Sequence, residues 1–299
     1  MLTGVPVFRS IVCFLLLLTG STRAGILADD IRQQYLPSEY ETVLAGEEDI
    51  PVFSAQPTTT LSRGVAIIFM DTGYQGLTLQ NAQQLAARLN QWGWHTRIVP
   101  SPVSLNPPAT TPSAETVAPA DGTGSDKVQS DSDTLSALMH PRAWAGTPVA
   151  DAGTSQTMMA LIAGAVFRSV DDVPGFRLVI SQGMGAAQFL SLAVTDNVPP
   201  PDGLVVISPY WPQSGLQQNI SEQLASTLFP VLDLQLPGST PWTAGAPAIR
   251  RTDATKALKL HYRQKQLGAS VNLASTFGNS AFSNSLSKEI YGWVNYLGW

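Results

Sequence analysis

Arg177-Leu178-Val179-Ile180-Ser181-Gln182-Gly183-Met184-Gly185-Ala186-Ala187 is the stretch on which the fold turns. Four large aliphatic or hydroxyl residues in a row read as a strand covered on both faces. Two glycines one residue apart then allow a tight corner, and Gly185-Ala186-Ala187 opens a helix of small residues that packs close to the strand it leaves. Strand, corner and helix within eleven residues is the opening of a parallel βα unit.

The same alternation continues on either side. Val65–Met70, Trp94–Val99, Leu204–Ile207 and Pro230–Leu234 are further short runs rich in β-branched residues, as strands of a parallel sheet should be. Between them, Leu79–Trp92 carries Ala82, Leu85, Ala86 and Leu89 at helical spacing and stops at Gly93, a residue suited to a helix end. Ser155–Val170, Gly185–Val194 and Ser285–Tyr296 read as further helices, and Glu48–Ser54 as an antiparallel edge strand. The expected architecture is therefore α/β, a mostly parallel central sheet with helices on both faces. Residues 101–136 interrupt it with Pro, Thr, Ser, Ala and Asp and almost no large apolar side chain after Leu105. Such a stretch buries too little surface to offset its ordering entropy and reads as a disordered, low-complexity insert.

Composition narrows the function classes. The chain has 299 residues, 17 Lys and Arg against 22 Asp and Glu, and one cysteine. No basic field exists for phosphate-dominated nucleic-acid binding. One cysteine and three histidines make no zinc or iron–sulfur site, so no metal is expected. Gly183-x-Gly185 lacks the third glycine of a dinucleotide fingerprint, Gln188 standing there, and no Walker lysine motif is present, so no cofactor is expected either. Residues 1–24 read as a cleavable signal peptide, with Arg9, the short apolar run Ile11–Leu18 and a small-x-small site at Thr22-Arg23-Ala24. Cys13 leaves with it. The expectation is one domain over 25–299, periplasmic or secreted, with no transmembrane segment in the mature chain. Its partner is expected to be a small molecule or an envelope protein.

The corner at Gly183 resembles the nucleophile elbow of α/β-hydrolases, G-x-S-x-G, in which a strained serine stands above the sheet. Aligned on it, Ser181 takes the first glycine, Gly185 the last, and Gly183 the nucleophile itself. The chain is also similar to a family of exported bacterial α/β-hydrolase-like proteins of unknown function. That similarity rests on Leu36-Pro37-Ser38-Glu39, Arg88–Thr96, the elbow, Asp202–Pro212, Pro230-Val231-Leu232-Asp233, Tyr262-Arg263-Gln264 and Gly292-Trp293. It implies a fold and a compartment and transfers no activity.

A Ser-His-acid triad needs a nucleophile, a base in reach of it and an acid that orients the base. Glycine at position 183 supplies no attacking atom. Ser181 at a strand end and Ser208 before Pro209 are substitute hydroxyls that could bind a ligand, though a turn-forming role is the better reading of each. Asp233 stands where the superfamily's acid follows a strand, or is a buried structural carboxylate. His261 is late enough in the chain to be the base, His95 lies in a strand, and His140 precedes Pro141 in the insert region. Asp71-Thr72-Gly73 ends a strand where a hydrolase places its oxyanion loop; its N–H groups suit an anion, while the Asp71 carboxylate repels one. Gly183, Met184, Gly185, Asp71, Thr72 and Gly73 thus outline the expected cleft. Tryptophans such as Trp92, Trp94 and Trp211 would suit a stacking surface, but core packing explains most of them. The reading is a hydrolase fold without its serine, serving binding or scaffolding. The rival is an atypical esterase or amidase that uses a displaced hydroxyl with Asp233 and His261.

Overall fold

A computed structural model describes residues 26–71, 76–102, 152–211, 214–236, 243, 245–268 and 280–299. The expected signal peptide, the insert beyond Pro102, His140, and Thr72 and Gly73 lie outside these residues. Eight strands form one sheet in the order β1-β2-β4-β3-β5-β6-β7-β8. They are β1 Glu41–Ala45, β2 Glu48–Ala55, β3 Gly64–Met70, β4 Trp94–Pro100, β5 Phe176–Gln182, β6 Gly203–Ile207, β7 Val231–Gln235 and β8 Tyr262–Gln266. From β4 through β8 every neighbouring pair is parallel, while β1–β2 and β2–β4 are antiparallel.

Helices α1 Ile26–Gln34, α2 Leu79–Gln91, α3 Ala152–Arg168, α4 Gly183–Val194, α5 Ser214–Ser226, α6 Ala246–Lys256 and α7 Ser280–Leu297 cover the sheet. Alternate residues of the buried strands feed two cores. Ile68, Ile180, Val205 and Leu234 meet Leu85 and Leu89 of α2 and Leu286, Ile290 and Trp293 of α7. Ile67, Phe69, Val179, Val206 and Val231 meet Ile162 of α3, Phe189 of α4 and Leu224 of α5. The expected α/β sandwich is therefore the observed one. Its five predicted parallel strands are β3 to β7; β3, β4 and β6 are longer by a residue, β5 by one at each end, and β7 is shifted by one.

Three expectations need correction. Glu48–Ser54 is not the edge: β2 sits between β1 and β4, and Glu41–Ala45 forms the edge. β1 escapes sequence reading because its outward residues are exposed, leaving no apolar alternation. The small-residue helix begins at Gly183 rather than Gly185, because strand and helix share no loop. The expected set of strands also lacks β8, Tyr-Arg-Gln-Lys-Gln; a half-buried edge strand tolerates polar and charged residues that a central one cannot.

Candidate functional site

Parallel strands bring all their carboxyl-terminal ends to one edge, so Asp71, Ser101, Gly183, Ser208 and Leu236 share a rim, where open α/β sheets bind ligands. Phe69 of β3 and Phe189 of α4 pack with ring centroids 5.7 Å apart, both fully buried. This contact holds the elbow helix over the strand that leads into Asp71; truncating either ring would cost about 3–5 kcal/mol.

Gln182 ends β5 in extended conformation and Gly183 turns at φ +60° into α4. That value lies in the left-handed region, which glycine enters at no steric cost. A Cβ at Gly183 would stand 3.2 Å from Asp71 Oδ2 and 3.3 Å from Tyr210 Cε1. The space a nucleophilic side chain would fill is thus bounded by a carboxylate on one side and a phenol ring on the other. The Tyr210 backbone N–H donates to Gly183 O at 3.4 Å. Burial, and then the Asp71 carboxylate, push the Tyr210 phenol up to about 12.

Gln182 and Tyr210 are the residues that sequence reading missed here. The Gln182 side chain accepts from the Leu77 N–H at 2.9 Å and donates to Asp71 Oδ2 at 3.5 Å, joining the elbow to the segment after β3. Gly76, at φ +88°, lets that amide lie against the backbone, since a Cβ there would fall 2.0 Å from Gln182 Nε2. No local pattern marks Gln182, because Leu77 and Asp71 lie more than a hundred residues away from it. Tyr210 lies inside the stretch Asp202–Pro212 with no pattern that singles it out.

The other candidates are placed as follows. Ser181 is completely buried beneath the elbow; its Oγ has no hydrogen-bond partner among the described residues and faces Gly185, whose Cβ would lie 3.2 Å from it. Ser101 Oγ flanks the same glycine, also without a hydrogen-bond partner among the described residues. Ser208, at φ +44°, accepts from the Leu236 N–H at 2.8 Å and so ties β6 to β7. Met184 is buried at the start of α4. His95 lies on β4, and burial together with Arg97 holds its imidazole below the usual range. Trp94, Trp211 and Trp293 are all core residues.

Asp233 is fully buried in the middle of β7, opposite Val206 and Gln264. Its Oδ2 accepts from Arg250 Nε at 2.9 Å, Tyr262 OH at 2.7 Å and Gln264 Nε2 at 2.9 Å, and its Oδ1 from Gln235 Nε2. His261 precedes β8, so it stands at the amino-terminal edge, where its carbonyl accepts from the Val231 N–H. Five residues of strand, about 16 Å, separate that edge from the elbow's. The imidazole is exposed and packs edge-on against Tyr296. The structure therefore brings together Gly183 and Asp71 and keeps both Asp233 and His261 out of their reach. Among the described residues, no group of three His, Cys, Asp or Glu side chains is placed to hold a metal ion, and no helix is long and apolar enough to cross a membrane.

The family model described as "Protein of unknown function (DUF3530)" matches residues 22–296. No curated protein matches the sequence. Among solved structures, a carboxyl esterase 2 from the mycorrhizal fungus Tuber melanosporum aligns at TM-score 0.52 and 10% identity, over 91% of this chain and 98% of that one. A dienelactone hydrolase from Anabaena variabilis aligns at 0.51 and 12%, over 86% and 96%. Est1E from Butyrivibrio proteoclasticus aligns at 0.51 and 8%, over 86% and 99%. At these identities the likeness establishes an α/β-hydrolase-like fold.

Proposed function

The chain belongs to the DUF3530 family, and we propose that it is an exported α/β-hydrolase-fold protein that binds or scaffolds rather than hydrolyses. One observation carries this reading. The elbow apex is a left-handed glycine, and the space above it is bounded by the Asp71 carboxylate and the Tyr210 ring. Acyl transfer needs an attacking atom at that point and positive or hydrogen-bonding character around the developing oxyanion. A carboxylate there opposes the oxyanion and suits a group that donates hydrogen bonds. The ligand is a small molecule or a donor side chain of an envelope protein. The rival, a displaced-nucleophile hydrolase using Asp233 and His261, finds no support in their placement.

The test pairs chemistry with location. A fluorophosphonate probe incubated with the mature protein is expected to leave every serine unlabelled; stoichiometric, saturable labelling would overturn the proposal. Cell fractionation with amino-terminal sequencing is expected to find the chain outside the cytoplasm and cut after Ala24. An uncut cytoplasmic chain would remove the export part of the reading alone.

A further inference from the structure

Arg250 lies on α6 with its side chain 2% exposed, and among the described residues one of its three nitrogens finds a partner. Nε donates to Asp233 Oδ2, while Nη1 and Nη2 have no hydrogen-bond partner among the described residues. Among the described residues, the acceptors beside Asp233 are engaged. Asp233 takes four donors, Gln264 Oε1 accepts from Arg251 Nε at 3.0 Å, and the Pro247 carbonyl accepts from Gln264 Nε2 at 2.9 Å. A buried donor left unmade costs about 1–3 kcal/mol, and more when charged. Burying a guanidinium beside a carboxylate already recovers little net stability. Holding two further donors unpaired has no return in folding alone.

We propose that the Nη1–Nη2 edge of Arg250 recognises the carboxylate of a ligand. With Nε turned to Asp233, the end-on pair is the remaining face of a planar fork that matches the two oxygens of a carboxylate. Asp233 already neutralises one positive charge, so a singly charged carboxylate fits better than a doubly charged phosphate. The side chain of a helical residue runs back toward the helix amino terminus. Here that terminus begins at Gly245, at φ +74°, with no side-chain cap, and its partial positive charge adds to the attraction. The site stands apart from the elbow, since β6 separates β7 from β5, about 10 Å across the sheet. It therefore does not depend on the function proposed for Gly183.

The experiment uses the full mature chain and sodium acetate as probe, with sodium chloride and acetamide as controls at matched ionic strength and inorganic phosphate as a second anion. Acetate is expected to raise the melting temperature saturably and to shift the ¹⁵N guanidinium signals of Arg250. Phosphate should act more weakly, and chloride and acetamide should not act. Arg250→Lys keeps a cation beside Asp233 but loses the fork, and should weaken acetate by about tenfold or more. No saturable response, an equal response in Arg250→Lys, the same effect from chloride, or tighter binding of phosphate would each overturn the proposal. Should Arg250→Lys fail to fold, the wild-type guanidinium spectrum decides: a shift confined to other arginines overturns it, and a shift at Arg250 supports it.

Discussion

The backbone N–H of Leu77 donates to the side-chain oxygen of Gln182 at 2.9 Å, across 105 residues of sequence, and the bond is buried. It fixes the segment that follows β3 against the corner where β5 becomes α4. The position of Asp71 over Gly183 depends on it. Gln182→Leu keeps the size of the side chain but leaves the Leu77 N–H buried and unpaired. The expected loss is about 1–3 kcal/mol in urea unfolding. An unchanged midpoint would mean that this N–H is already solvated.

Putting the missing hydroxyl back should not restore a hydrolase. A serine at position 183 must adopt φ +60°, which costs an L-residue about 1–2 kcal/mol. Its Cβ would also press on Asp71 Oδ2 at 3.2 Å, and no imidazole of the described residues stands by to take its proton. Gly183→Ser is expected to lower the melting temperature and to show no turnover of p-nitrophenyl acetate above background. Strong esterase activity from this one change would place a working base at the elbow.

Alkaline titration reports the Asp71–Tyr210 contact directly. With the Tyr210 phenol raised to about 12, the folded chain holds its proton more tightly than the unfolded chain. The resulting stability is complete below the ordinary tyrosine value of about 10 and is lost as pH climbs through about 12. Phenolate absorbance should show Tyr210 ionising late, by difference from Tyr210→Phe. Asp71→Asn should bring it only part of the way down, because burial is the larger cause. A Tyr210 titration that ignores Asp71→Asn would separate the two side chains.

Leu258 terminates α6 in a position glycine usually takes. It sits at φ +51° and 83% exposed, with its N–H on Thr255 O and the next N–H, of Lys259, on Ala254 O. Little burial is at stake, so Leu258→Gly relieves the left-handed strain at the smaller expense of glycine's freedom in the unfolded chain. The expected outcome is a gain of about 0.5–1 kcal/mol by chemical denaturation. A loss would show that the leucine makes a stabilising contact.

How much was legible beforehand follows from where each signal resides. Strands β3 to β7 could be read because a central strand is buried on both faces and is mostly apolar, most fully in Gly64–Met70, where every residue is buried. The glycine at the elbow could be read because a corner without a loop leaves a composition mark in adjacent residues. Edge strands β1 and β8 could not, since one free face imposes no pattern. The partnership of Asp233 with Arg250, Tyr262 and Gln264 was equally hidden, and so was the distance between His261 and the elbow. Chain order puts His261 after Asp233, as a triad would have it, but the histidine comes before its strand and not after it.

The amino-acid order alone thus determined which segments are buried on both sides and that position 183 carries no reactive atom; both are properties of single residues and their immediate neighbours. Only the folded chain decided which end of the sheet each polar group occupies and what it faces. Asp71 meets Gly183 and Tyr210 because parallel strands gather at one edge residues that lie far apart in sequence, and Arg250 meets Asp233 because α6 brings it against β7. Contacts between such residues leave no mark in the local pattern of either.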